Sequence, residues 1–384
     1  MSKSILNLPK NDCYGCTACA SICALGAIEM LPDEKGFVKP VLKGDKCKNC
    51  GLCEKTCPSK NADTLKNTQQ PKIYAVKHKD EAIRNKSTSG GAFTAFADAL
   101  REQNAVVYGA AFCENGAHHI RVDDGNIEAL RGSKYVQSYL QDSFGQIKQD
   151  LLDEKTVLFT GTPCQCGGLK QFLSFSGVST DGLYLIDLIC HGTSSPLLLK
   201  EYLRHCEKKA GKKIVDHRFR SKKKGWHNHL EENVFADGTL DDTSFDSQIA
   251  KSIFYSGYAF SERCYTCEYA SVERTADITL GDFWGIGSAM PDFDDNKGVS
   301  MVMVNTAKGE ALMKLSGKYL TCHEAKMVWA KQPHLKKPLA RPAGTDEFWE
   351  FYRKKGFKKL IVKYFAAGKL RRLIAGIYRK ILKK

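Results

Sequence analysis

No stretch of the 384 residues comes near the roughly 18 uninterrupted apolar residues that a membrane-spanning helix needs. Met1 to Lys10 carries no apolar core of the kind found in an export signal. Acidic residues are missing from one place: between Phe351 and Lys384 there are thirteen Lys or Arg and no Asp or Glu. Without those thirteen, the 58 Lys and Arg fall to 45, against 43 Asp and Glu. The body of the protein is therefore nearly neutral, which excludes a nucleic-acid binder by charge and confines the basicity to the tail. Hydrophobic residues at 42% and charged residues at 26% describe an ordinary globular chain, long enough for two or three domains. Sixteen cysteines without an export signal point to a reducing cytoplasm, where thiols serve as metal ligands.

Eight of those cysteines fill the first 57 residues in two matched runs. Cys13, Cys16, Cys19 and Cys23 form one; Cys47, Cys50, Cys53 and Cys57 form the other. Each reads C-x2-C-x2-C-x3-C, the spacing of bacterial two-cluster ferredoxins, in which the fourth cysteine of each run serves the other cluster. The reading assigns Cys13, Cys16, Cys19 and Cys57 to one [4Fe-4S] cluster. Cys47, Cys50, Cys53 and Cys23 take the second. Soft thiolates suit iron–sulfur cores. Structural zinc and a disulfide framework fit this repeated spacing poorly. Pro58 follows the second run, whereas Ala24 follows the first; proline there shapes a turn and ligates nothing.

Residues 1–60 thus read as a small α+β two-[4Fe-4S] ferredoxin-like domain, followed by a polar linker over 61–71. Beyond it, strand and helix signals alternate. Ala92, Phe93, Phe96, Ala97 and Leu100 fall at helical spacing behind Gly90-Gly91. Asp142 is placed to cap a helix carrying Phe144, Ile147 and Leu151. Thr156–Thr160 and Leu183–Ile189 read as buried strands, and Ser195-Pro196 as a helix start. The pattern predicts an α/β core over 72–340 with a largely parallel sheet.

Cys164 and Cys190 lie just past the carboxyl ends of two of those strands, the edge where open α/β sheets bind ligands. Cys264-x2-Cys267 adds a metal-binding pair. Four thiolates suit a third [4Fe-4S] cluster; by spacing alone zinc suits equally, and Cys166 could stand in for Cys164. Cys113, Cys206 and Cys322 read as small buried residues. Ser87, Thr88, Ser89, Gly90 and Gly91 open a helix whose N–H groups could meet a phosphate, or simply cap it. Ser133-Lys134-Tyr135 and Phe219-Arg220-Ser221-Lys222 offer cations for an anionic ligand or a solvated surface. His191 beside Cys190 suits a hydrogen bond near a cluster better than a proton shuttle. Asp282 reads as a turn residue with a second reading as a pocket wall.

Several motifs in order, GTPCQ at Gly161–Gln165, CHG at Cys190–Gly192, and CYTC followed by ADITLGDFWG at Ala276–Gly285, resemble the coenzyme F420 hydrogenase/dehydrogenase beta-subunit family. SGGAF at Ser89–Phe93, SKYVQS at Ser133–Ser138 and FRSKKKGW at Phe219–Trp226 fit as well. The resemblance covers roughly residues 70 to 340. It implies a flavin, FAD or FMN, held in part by Ser87–Gly91, Ser133 and Lys134. It also implies a core cluster on Cys164, Cys190, Cys264 and Cys267. The implied activity is an oxidoreductase coupling two-electron hydride transfer with coenzyme F420 to one-electron transfer through clusters. Two alternatives stay open: a ferredoxin-driven flavin reductase of another substrate, such as a glycan or lipid-linked intermediate, and an electron-transfer subunit with no substrate of its own. Expected partners are a redox protein or a small-molecule electron carrier.

Residues 341–384 read as a basic helical tail, with Leu370, Leu373, Ile374, Ile377, Tyr378 and Ile381 near helical spacing. Such a helix suits an anionic membrane surface or an acidic partner. The expected location is the cytoplasm, with the tail able to rest on the inner face of the membrane.

Overall fold

The computed structural model describes residues 10–114 and 116–366. The ferredoxin-like module holds α1 (Ala18–Ser21), the antiparallel pair β1 (Ile28–Pro32) and β2 (Val38–Leu42), and α2 (Leu52–Lys55). Its two cysteine runs share a backbone as well as a spacing. The residues on either side of the middle cysteine are left-handed in both runs: Gly15 and Thr17 around Cys16, Asn49 and Gly51 around Cys50. That curl turns backbone N–H groups towards sulfur, as in Gly15 N to Cys13 Sγ at 3.3 Å.

Residues 61–71, expected as a linker, include a short helix α3 (Ala62–Leu65) whose Ala62 and Leu65 are buried. Asn67 then bonds the backbone of Arg274 and Ala276, so this stretch is laid against the core.

The core is a nine-stranded sheet formed by β3 (Lys72–His78), β4 (Val106–Cys113), β5 (Gly116–Val122), β6 (Ser138–Tyr139), β7 (Val157–Gly161), β8 (Leu183–Leu188), β12 (Ile278–Asp282), β13 (Ser300–Val304) and β14 (Leu320–Ala325). Their order is β14-β3-β13-β12-β8-β7-β4-β5-β6. The expectation of a largely parallel sheet is corrected. The centre, β12-β8-β7-β4, is parallel, while β14, β3 and β13 run antiparallel on one side and β5 does so on the other. β4 and β5 are joined through residues 114 and 115 alone, too short for a parallel crossover.

Helices cover both faces. Leu158 and Ile186 pack with Phe96 and Leu100 of α5 (Ala92–Arg101) and Leu312 of α11 (Ala307–Leu315). On the other face Val157, Phe159 and Leu185 meet Phe144 of α6 (Ser143–Leu152) and Leu169, Phe172 and Leu173 of α7 (Pro163–Phe175). A strand buried on both sides needs an unbroken apolar run, which is what Val157–Phe159 supplies. Cys16 and Ala18 of the ferredoxin-like module belong to this second cluster, so the module shares a core with the sheet.

The remaining elements are α4 (Glu81–Lys86), α8 (Pro196–Ala210), the three-stranded sheet β9 (Ile214–Ser221), β10 (Leu230–Phe235) and β11 (Leu240–Asp241), α9 (Ile249–Ser256), α10 (Ile286–Ala289) and α12 (Thr345–Tyr364). Ser195 caps α8 as expected, accepting from Leu198 N at 3.2 Å. Asp142 stands at the N-cap of α6 but makes no side-chain cap bond. α12 buries Phe348, Trp349, Phe357, Leu360 and Ile361 against α8 and the small sheet. The first part of the expected tail is therefore packed into the fold; the amphipathic positions Leu370 to Ile381 lie outside the described residues. No helix among the described residues is long and apolar enough to cross a membrane.

Candidate redox site

Parallel β7 and β8 are neighbours, so their carboxyl ends lie side by side. Cys164 sits in the first turn of α7, directly after β7, and Cys190 lies two residues past β8. The turn at Glu262–Thr266 brings up Cys264, and Cys267 follows it. The four thiols influence one another electrostatically: Cys164 feels Cys267, Cys190 and Cys264, and Cys190 feels Cys264 and Cys267. Burial raises all four thiol pKa values, that of Cys190 to about 12. Buried bare thiols hold their protons, and a bound metal centre removes them. Thr162 Oγ1 lies 3.2 Å from Cys164 Sγ, and Thr193 N donates to Cys264 Sγ at 3.4 Å. Such donors steady sulfur that carries negative charge. A sulfur-only donor set fits an iron–sulfur cluster. Among the described residues no three His, Cys, Asp or Glu close on a site for a single metal ion.

Cys166 turns away from this group. Its Sγ lies 3.8 Å from Ile186 O, and after burial its strongest influence is Asp187. Of the thiols expected to be ordinary buried residues, Cys206 is buried, Cys113 is half-buried and Cys322 is exposed on the edge strand β14.

In the ferredoxin-like module the structure brings Cys57 to Cys13, Cys16 and Cys19. Cys16 feels Cys57, Cys19 and Cys13, and Cys57 feels Cys13. The fourth cysteine of the second run thus lies close to the first three. Cys19, Cys23, Cys53 and Cys57 share one small cluster with Ile28 and Leu42, and Cys19 also feels Cys53. Cys50 is exposed.

The two thiol groups meet across α7. A Cβ on Gly168 would lie 2.8 Å from Cys16 Sγ, and one on Gly167 would lie 2.6 Å from Tyr269 Oη. Tyr269 donates to Pro58 O at 3.2 Å. Burial raises its pKa first, and then the thiols Cys164, Cys16, Cys267 and Cys57 do so, which places its ring between both groups. Tyr14 packs edge-on against Tyr269 at 5.5 Å, with the Arg263 guanidinium 4.9 Å over its face. Arg274, buried with Asp187 at 3.0 Å, lowers the thiol pKa values of Cys190 and Cys267. Sequence reasoning missed Gly167-Gly168, Tyr14, Tyr269 and Arg274. The glycine pair carried a signal, since two glycines inside a helix mark a close approach.

The expected flavin residues are partly brought together. Thr88 Oγ1 accepts from Ser133 N at 2.9 Å, close to the start of α5. Gly90 and Gly91 have a reason of their own. A Cβ on Gly90 would lie 2.3 Å from Val76 O, one on Gly91 would meet His78, and Gly91 is left-handed at φ 88°. Gly90 N already donates to Ser300 Oγ, and Ser89 Oγ to Val299 O. Ser87 Oγ bonds Ile83 O. Lys134 donates to Ala129 O and Arg131 O, and Lys222 to three carbonyls, those of Arg84, Ser89 and Lys297. Burial lowers their pKa values to about 8 and about 7. Neither is a free surface cation.

Polar side chains gather beside Cys190. His191 lies against His334 at 4.1 Å between ring centres. Asp282, at the end of β12, pairs with Arg220 and accepts from Trp226 Nε1 at 2.7 Å. It ends a strand and is held by these two partners rather than standing free in a turn. Trp226 and Trp284 stack at 4.5 Å, with Arg220 5.1 Å over Trp284. Burial and the nearby charge of His334 lower the His191 pKa to about 4. Two buried atoms here have no partner: His334 Nδ1 and Gln332 Oε1. Unsatisfied buried polar atoms suit a bound ligand. A cavity of about 550 Å³ lies elsewhere, at the amino ends of the strands near Lys170 and Lys308. The thiols and the unpartnered atoms locate the chemistry better than that volume does.

Residues 154–327 match the family model for the C-terminal part of the coenzyme F420 hydrogenase/dehydrogenase beta subunit, and residues 12–61 match the 4Fe-4S dicluster domain. Among solved structures, a chain of the F420-reducing [NiFe] hydrogenase complex from Methanosarcina barkeri is similar at 17% identity and a TM-score of 0.46, over 80% of this chain and 94% of that one.

Proposed function

Because residues 154–327 belong to the coenzyme F420 hydrogenase/dehydrogenase beta-subunit family, a family of oxidoreductases, and residues 12–61 are a 4Fe-4S dicluster domain, we propose that this chain is an iron–sulfur flavoprotein exchanging electrons with a coenzyme F420-type hydride carrier. Cys164, Cys190, Cys264 and Cys267 would hold a core [4Fe-4S] cluster beside the two of the dicluster domain. Thr88, Ser133 and the start of α5 would take the flavin phosphate, and the polar group of His191, Arg220, Asp282, Gln332 and His334 would meet the reacting rings. When bound, a flavin supplies the exchange between a two-electron hydride carrier and one-electron clusters. The chain's own residues supply position. The Asp282–Arg220 pair and the stacked Trp226 and Trp284 would form one side of that site, and the unpartnered His334 Nδ1 and Gln332 Oε1 would leave hydrogen-bonding capacity for a ring edge.

The observation that carries this reading is the contact across α7. The helix that carries Cys164 in its first turn lies against Cys16 through Gly168. That contact supports one electron path through both domains, which a tethered ferredoxin would not need. The test is anaerobic mixing with reduced coenzyme F420. Bleaching of cluster absorbance supports the reading. No bleaching, with flavin reduced instead by a low-potential ferredoxin, favours the reductase of another substrate. No flavin at all leaves an electron relay.

A further inference from the structure

The eight ferredoxin-type cysteines are not equally accessible. Cys16, Cys19, Cys53 and Cys57 are buried, Cys13, Cys23 and Cys47 are half-buried, and Cys50 is exposed. The group containing Cys16 faces α7 and the core. The group containing Cys50 faces outward. Two residues on from Cys50, Leu52 is an exposed apolar side chain at 38%. An exposed apolar group beside an exposed thiol suits an interaction surface.

The exposed charge along the chain around Cys47 and Cys50 has one dominant sign: Lys43, Lys46, Lys48 and Lys55 are exposed, against Asp45. Glu54 is taken by Lys60. A shallow depression of about 360 Å³ beside Cys50 is lined by the paired Glu54 and Lys60, by Lys55 and by Asn61. An apolar contact point among cations matches the anatomy of a protein interface whose partner is acidic. We propose that this face is the docking port for a small acidic one-electron carrier protein. The inference rests on the iron–sulfur reading of Cys23, Cys47, Cys50 and Cys53 and adds the identity of the partner. One electron crosses per encounter, so that the carrier gains what the protein loses, or the reverse, and no atom is transferred.

The test uses the full-length anaerobic protein and an acidic two-cluster ferredoxin as probe, with binding measured by calorimetry at low and high salt. Iron is assayed in every preparation. The double variant Lys46→Glu/Lys48→Glu should weaken binding on the order of tenfold at low salt and flatten its salt dependence. Leu52→Asp should weaken it similarly, while Lys200→Glu on α8 leaves it unchanged. Equal binding by wild type and double variant, with iron content preserved, overturns the port and leaves the cluster reading standing. So does a defect that appears only on anionic vesicles. Wild-type protein with far fewer than about eight iron atoms overturns the cluster reading beneath it.

Discussion

Gly168→Ala separates an ordinary helix from one that closes an electron path. Gly168 lies inside α7, where alanine is favoured over glycine by about 1 kcal/mol. With nothing beside it, the substitution should stabilise the protein by that amount. The added Cβ would instead lie 2.8 Å from Cys16 Sγ and 3.1 Å from Cys16 Cβ. Ordinary contacts begin at about 3.5 Å, so sulfur or helix must give by roughly half an ångström or more. The helix is held by Leu169, Phe172 and Leu173, all buried in the core shared with Ala18. Overpacking of this kind costs about 1–3 kcal/mol. The sum is a net loss of about 1 kcal/mol and a Cys16 thiol pushed off its place. Urea unfolding followed by circular dichroism gives the first quantity, and iron release to a chelator the second. Release should quicken. A variant about 1 kcal/mol more stable than wild type, with unchanged iron release, would refute the contact and the path built on it.

Cys190→Ser should remove about four iron atoms per chain and Cys166→Ser none, since only Cys190 joins the other three core thiols; equal losses would show that the ligand set is misassigned. Arg274→Met leaves the buried Asp187 carboxylate without its cation, and urea unfolding should show a loss of about 3–5 kcal/mol; a loss under about 1 kcal/mol would contradict the pairing. Glu231 is buried between the strands of the small sheet and the start of α9, and burial raises its pKa to about 8. Between pH 4.5, its ordinary value, and about 8 the unfolded chain has lost this proton while the folded chain keeps it. Stability from this group therefore falls as pH rises through that window, by about 5 kcal/mol at most, and levels off above it. Glu231→Gln should flatten that part of the stability–pH curve; an unchanged slope would show that Glu231 is ionised in the fold.

What could be read in the chain divides by how local the signal is. The ferredoxin runs were legible because ligands three and four residues apart are set by one turn, and the left-handed residues around Cys16 and Cys50 repeat that turn twice. The core thiols were legible as candidates only. Cys164 and Cys190 converge because β7 and β8 pair in parallel, and pairing is a property of the whole sheet. The same limit hid the antiparallel flanks, since alternating strand and helix does not say on which side a strand returns. Gly90-Gly91 suggested a phosphate loop, yet strand backbone fills the space that side chains there would need. Lys134 and Lys222 read as cations for an anionic ligand or a solvated surface because composition cannot show an ammonium folded back onto carbonyls. The polar group beside Cys190 draws on Arg220, Asp282 and His334, spread over more than a hundred residues.

Iron, sulfide, zinc and flavin content of the anaerobically purified chain tests the central claim most directly. The account predicts about twelve iron atoms, no zinc and one flavin per chain. About eight iron atoms, one zinc and no flavin would contradict it and leave a ferredoxin relay on a zinc-stabilised scaffold.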